Sequence, residues 1–246
     1  MLKIITIITK FILVTLTALL FTSCNYSTNL KSITGSGNVT TERRTIDQDF
    51  TNVDVSNAID VVIEQSDKIE VTVEADDNLQ KNIITKVENG VLIISSDYNS
   101  FIDVDSKKVI VKMPIIDEIQ ASSSSTVSSV NILKSNAIDI TSSSAADINL
   151  KVEADKIKCK TSSGSSIYLN GLALFLETTS SSGGSIETKD LHANEVTAKA
   201  SSGGSIEVNP IVSLKAKASS GGSITYVKTP KSIERKTSSG GSIDID

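Results

Sequence analysis

Ser181-Ser182-Gly183-Gly184-Ser185-Ile186 decides the fold, because the chain repeats it. The same letters stand at Ser201-Ser202-Gly203-Gly204-Ser205-Ile206, Ser219-Ser220-Gly221-Gly222-Ser223-Ile224 and Ser238-Ser239-Gly240-Gly241-Ser242-Ile243. A near copy, SSGSSI, ends at Ile167, and degenerate copies end at Ile148 (SSAADI) and Val127 (SSSSTV). The seven closing residues are spaced 21, 19, 19, 20, 18 and 19 apart. A fixed period of about 20 residues marks a solenoid, with one coil per repeat.

Aligning on the closing Ile/Val, the anchor, produces columns. Ten residues before it stand Ile138, Ile157, Leu176, Val196, Leu214 and Ile233. Eight before stand Ile119, Ile140, Cys159, Thr178, Ala198, Ala216 and Arg235. Six before stand Ala121, Ser142, Thr161, Ser180, Ala200, Ala218 and Thr237, and two after stand Ser129, Leu150, Leu169, Thr188, Val208, Tyr226 and Ile245. Steps of two are the strand period, so each coil reads as strand, Ser-Ser-Gly-Gly corner, second strand and variable return. The inward columns taper toward the corner, which lets the backbone turn round a thin edge of core. Glycine suits the corner because it reaches φ > 0 without a Cβ clash, and on that ground Gly204→Val is expected to destabilise. The fold expected is all-β: a right-handed parallel β-helix of about seven coils over 114–246. A strand-rich part at 35–113, with one short helix over Asp76–Ile84, precedes it. Asn89-Gly90 reads as the type I′ turn of a hairpin.

The first 23 residues read as a secretory leader: Lys3 and Lys10, an apolar run, then Phe21-Thr22-Ser23-Cys24. The last four resemble a bacterial lipobox, in which Cys24 is acylated and becomes the first mature residue. Residues 24–34 are then a polar, flexible tether. Asn25 is not the aspartate that retains lipoproteins at the inner membrane, which points to the outer membrane. The side that the protein faces stays open.

Cleavage removes Lys3 and Lys10 and takes the formal net charge from −5 to −7. Such a surface argues against nucleic acid. With Cys24 acylated, Cys159 has no thiol partner, and it alternates with Ile157 and Thr161 as a core residue. His192 is the lone histidine and lacks the companions of a metal site or a triad. Calcium rolls place Asp after their Gly-rich turn, whereas Ser-Ile follows here, so no metal or cofactor is expected. The carboxylates best placed for glycoside chemistry are Glu187 and Glu207, one past the anchor in successive coils, about 4.8 Å apart if stacked. The same outward column holds Tyr168, Thr225 and Asp244, which reads as a solvated face.

The order of features resembles a known family. A lipobox is followed by Gly35-Ser36-Gly37-Asn38-Val39, Arg43-Arg44 and Phe50. Then come strand pairs, a V-x-N-G-V-L-I-I strand, a V-I-V-K-M-P strand and S-S-G-G-S-I coils. This looks like the head GIN-domain family of putative auto-transporter adhesins, over about Gly35 to Asp246. The resemblance implies a β-helix-like envelope protein without enzymatic activity. The function expected is therefore a binding, adhesin-like or scaffold module. The alternative is a β-helix polysaccharide lyase or hydrolase using Glu187 and Glu207. Expected partners are the membrane through Cys24, a surface glycan or protein, and a second copy of the chain. That copy would cover the open last coil, unless the return segment Tyr226–Ile233 covers it instead.

Overall fold

A computed structural model describes residues 31–246 and, upstream, residues 6, 8–12, 14 and 15. Cys24 and most of the leader lie outside the described residues. No helix among the described residues is long and apolar enough to cross a membrane. The chain forms two compact units, Met1–Lys31 and Ser32–Asp246.

The second unit is built from strands. β1 is Ser32–Thr34, β2 Val39–Arg44, β3 Asn52–Val55, β4 Asp60–Gln65, β5 Glu70–Asp76 and β6 Ile83–Glu88. β7 is Val91–Ser96, β8 Ser100–Ile102, β9 Lys107–Met113, β10 Glu118–Ala121, β11 Thr126–Ser142 and β12 Asp147–Thr161. β13 is Ser166–Ser180, β14 Ser185–Ala200, β15 Ser205–Ala218, β16 Ser223–Tyr226, β17 Ser232–Thr237 and β18 Ser242–Ile245. From β10 onward every ladder is parallel and joins neighbouring coils. The anchors stack in register: Val127, Ile148, Ile167, Ile186, Ile206, Ile224 and Ile243. All seven are buried. The expected solenoid of about seven turns is therefore the fold.

The corners are type I′ turns. In the copy at Ser201, φ is 49° at Ser202 and 72° at Gly203. The Gly204 N–H donates to the Ser201 carbonyl at 2.9 Å. Both central residues thus take the left-handed conformation that type I′ requires. Gly204 is not at positive φ, which corrects the reason given for it above. A Cβ on Gly204 would lie 2.6 Å from the carbonyl carbon and oxygen of Ser180 in the preceding coil. The first glycine supplies a dihedral, and the second supplies room for the next layer.

The structure also holds a corner that the period does not show. β3, Ser56-Asn57-Ala58-Ile59 and β4 form a coil beneath the array. Val53 pairs with Ile119 and Val61 with Val127. Asn57 and Ala58 have φ of 61° and 56°. The Ala58 N–H donates to Ser123 at 2.9 Å, as Ser124 does to Ser144 and Gly183 to Ser202 higher up. β7 and β9 add a further layer beneath β3 and β4. The antiparallel strands β2, β5 and β6 close that end. Residues 35–113 are therefore the first layers and the cap of the same solenoid.

Three local expectations change. The helix expected over Asp76–Ile84 shrinks to turns, with a single helical bond from Ile83 N–H to the Leu79 carbonyl. The tether expected to reach residue 34 ends earlier, because β1 pairs with β8. β8 itself interrupts what reads as a polar loop over Asp97–Lys107. In both cases pairing partners distant in sequence order a polar segment. The Asn89-Gly90 hairpin turn has φ of 52° and 78°, as expected. At the other end the return segment stays in its own layer, with Tyr226 beside Ile245 and Ile233 beside Leu214. It does not cover β18, and Ile245 is 55% exposed.

Candidate binding groove on the return face

The return segments carry the in-register column Leu133, Val152, Gly171 and Leu191 on their inner side. Gly171 has φ of 128°, and a Cβ there would meet the Val152 carbonyl oxygen, so only glycine lets these coils close up. Two residues further on, Ser135, Ala154, Ala173 and Ala193 pair in register, and Pro210 faces Ala193. Small side chains in that column leave a trough along the solenoid axis, about 570 Å³ in volume. One wall is the in-register column Lys134, Glu153, Leu172 and His192. The other carries Asn136, Asp155, Leu174 and Asn194.

The trough changes character along its length. Its early end is polar, and Lys134 pairs with Glu153 at 3.3 Å. Its later part exposes Leu172, Leu174, Phe175, Ile211 and Val212, each at 38% or more. Scattered exposed apolar residues are ordinary, but a contiguous set beside a trough marks a contact surface. A trough that offers both polar and apolar side chains suits a ligand that carries both characters, as a sugar ring does.

The residues singled out from sequence fall elsewhere. The sixteen Ser-Ser-Gly-Gly positions stand at the corner turns, away from the groove. Glu187 and Glu207 do sit opposite each other in adjacent coils. Glu187 lines only a shallow depression of about 230 Å³, and Glu207 lies 3.9 Å from Lys189. Among the described residues no group of three or more His, Cys, Asp or Glu side chains is placed to hold a metal ion. Cys159 is buried, and burial, with Asp139 nearby, pushes its thiol far above the ordinary range. That is the opposite of an activated nucleophile. His192 lies on strand β14, on the groove wall.

The groove was missed because the columns were followed only ten residues back from the anchor. The signal lies further back. Lys134, Glu153, Leu172 and His192 each stand fourteen before the next anchor, and Ser135, Ala154, Ala173 and Ala193 thirteen before.

Comparison with known proteins gives a family and a fold. The model of the family described as "Putative auto-transporter adhesin, head GIN domain" matches residues 49–230. No curated protein matches the chain. Among solved structures, a putative adhesin from Bacteroides fragilis is similar, with a TM-score of 0.79 and 22% identity, covering 87% of this chain and 100% of that one. A putative adhesin from Parabacteroides distasonis aligns with a TM-score of 0.71 and 22% identity, over 88% of this chain and all of that one. A protein from the same species, titled a putative lipid binding protein, aligns with a TM-score of 0.69 and 22% identity over the same shares. At such identities these likenesses speak for the fold alone.

Proposed function

Because the chain belongs to the family of putative auto-transporter adhesins with a head GIN domain, we propose that it is a non-enzymatic binding module of the cell envelope that holds a surface glycan in the axial groove. The observation that carries this reading is the groove's construction. Four successive coils place small residues at one register position, so the trough runs across the strands and fits an extended ligand. The apolar residues Leu172 and Leu174 offer the face on which a sugar ring can stack, and Asn136, Asp155 and Asn194 offer hydrogen bonds to its hydroxyls.

We further propose that acylated Cys24 anchors the protein, with Asn25 directing it to the outer membrane. A Cys24→Ser chain should leave the membrane fraction or stay unprocessed. Protease shaving of intact cells shows which side it faces.

A glycan array tests the groove. Asn136→Ala/Asn194→Ala removes two polar side chains of the groove and Leu172→Ser/Leu174→Ser removes two apolar ones. Both should abolish a signal that the parent chain gives, with an unchanged melting temperature. A signal that survives both changes overturns the groove. Capture of a protein but no glycan makes the ligand a protein. Turnover of a polymer that is lost in Glu187→Gln or Glu207→Gln makes the chain an enzyme.

A further inference from the structure

The sheet that enters each corner turns two columns of side chains outward, seven and nine residues before the anchor. In the seven-back column Lys160, Thr179, Lys199, Lys217 and Lys236 are successive cross-strand partners. In the nine-back column the partners are Lys158, Glu177, Thr197, Lys215 and Glu234. Three consecutive coils thus stack Lys199, Lys217 and Lys236 directly over one another, about 4.8 Å apart at the backbone. Like charges directly opposite across strands repel.

Neighbouring carboxylates answer only part of this charge. Lys199 lies 3.6 Å from Glu177, and Lys236 lies 2.8 Å from Glu234. Among the described residues no ion pair involves Lys215 or Lys217. The chain as a whole carries −5. On the sheet that leaves the corner, Glu187, Glu207 and Asp244 stand one residue past the anchor, whereas the seven-back column of the entering sheet holds no carboxylate from Lys160 to Lys236. Four lysines, with Glu234 and Thr197, border a shallow depression of about 210 Å³ floored by Ala198 and Ala216. An anionic group seated there is within reach of Lys199, Lys215, Lys217 and Lys236.

We propose that this lysine ladder is a second binding site, for an anionic polysaccharide running along the solenoid axis. The ligand is a sugar polymer with carboxylate or sulfate groups at regular intervals. The ladder meets a regularly charged chain with a lysine in each of the last three coils. The track is one lysine wide, and Glu177 and Glu234 lie along one side of it, in the nine-back column. A broad anionic surface pressed onto this face would also meet those two carboxylates, whereas a single chain can follow the seven-back column beside them. This site goes beyond the groove reading: it lies on another face, recognises charge instead of an apolar ring face, and stands if the groove reading falls.

The test uses the Ser32–Asp246 unit, which contains every described strand and the whole core. The probes are heparin and polygalacturonate, with dextran as the neutral polymer and phosphatidylglycerol vesicles as the anionic surface. Heparin or polygalacturonate should bind and weaken steeply with salt, and dextran should not bind. Lys199→Gln/Lys217→Gln/Lys236→Gln should raise the Kd about tenfold and flatten the salt dependence. Its melting temperature should stay level or rise, because repulsion is removed. The corresponding triple Arg variant should keep the binding, and Leu172→Ser/Leu174→Ser should leave it unaltered. No binding at low salt, or an unchanged Kd in the triple Gln variant, overturns the proposal. Vesicle binding as tight as polymer binding and equally lost in the triple Gln variant also overturns it, in favour of a membrane surface.

Discussion

Gly203 and Gly204 are adjacent, identical and doing different work, so replacing each by alanine separates two physical effects. At Gly203 φ is 72°, and nothing lies within 4 Å of a new Cβ. Alanine there suffers only the left-handed conformation, about 1–2 kcal/mol. Reduced freedom of the unfolded chain returns about 0.4–1 kcal/mol of that. The net loss should be about 1 kcal/mol, or about 2–4 °C in Tm for a unit of this size. At Gly204 the dihedral is ordinary, but the new Cβ lies 2.6 Å from two backbone atoms of Ser180 and 2.7 Å from its Oγ. The hydroxyl is itself committed to the Gly184 carbonyl at 2.7 Å. Backbone held in a parallel ladder moves only if the coils part, so the loss should be about 3 kcal/mol, at the upper end of overpacking. The assay is urea denaturation of the Ser32–Asp246 unit, followed by far-UV circular dichroism. Equal losses, or a greater loss for Gly203→Ala, refute the division of labour. Gly221 and Gly222 repeat the arrangement one coil on, with open space at the first and the Ala200 carbonyl carbon 2.6 Å away at the second.

Other predictions follow from buried groups. Ile206 is 1% exposed between Ile186 and Ile224, so Ile206→Asp should cost about 4 kcal/mol or more and leave little folded protein on expression. Asp76 has no accessible surface, and its carboxylate accepts N–H bonds from Gly37 at 2.9 Å, Ser106 at 2.9 Å and Asp105 at 3.1 Å. Burial pushes this carboxyl up, but those donors outweigh it and hold it below its ordinary value. Its contribution is therefore complete above the unfolded value of about 3.9 and is lost as pH falls through the lower native value. Asp76→Asn should cost about 3 kcal/mol at pH 7 and weaken the acid-induced drop in Tm. Cys159 should resist a thiol reagent in the native state and react at the rate of unfolding, and fast labelling of native protein would place it wrongly. Among the described residues no strand pairs with the outer edges of β17 and β18. Light scattering over a concentration series should show self-association through them, and a monomer throughout would argue against it.

The fold was legible wherever the period survived. Seven anchors were found because consecutive coils differ in length by only a few residues. The eighth was hidden: Val61 and Val127 are paired neighbours in space, yet 66 residues apart in sequence. The column pattern was nevertheless intact, with Val53 and Val55 eight and six before Val61 and Ile63 two after. The insertion between them builds the cap, and its ordering contacts are long-range. Asp76 and Asp77 read as a helix start, but their carboxylates serve elsewhere. Asp76 takes backbone donors from Gly37, Asp105 and Ser106, and Asp77 takes the Ser36 hydroxyl and the Asn38 amide. A local capping rule cannot anticipate partners that lie 29 or more residues away.

The groove and the lysine ladder share one property that explains how the coils vary in length without losing either. In β11 to β14 the residues from fourteen before an anchor up to that anchor keep a common frame. The register shifts fall between Ser128 and Ile132, Tyr168 and Asn170, and Thr188 and His192, just after the corner sheet and before the groove. β15 departs once more, around Pro210, where Ala193 and Glu195 face Pro210 and Ser213. Extra residues at these points bulge outward without turning any inward side chain. A glycine inserted between Lys189 and Asp190 should therefore cost about 1 kcal/mol or less. A glycine inserted between Leu176 and Glu177 meets a strand with alternate faces buried. It either turns Glu177 toward the core or breaks the ladder to Ile157 and Val196, which should cost about 3–5 kcal/mol. Thermal melts of the two insertions decide the matter. Equal losses would mean that the frame from groove to anchor is no stiffer than the return, and that the alignment of Lys199, Lys217 and Lys236 is not held by the fold.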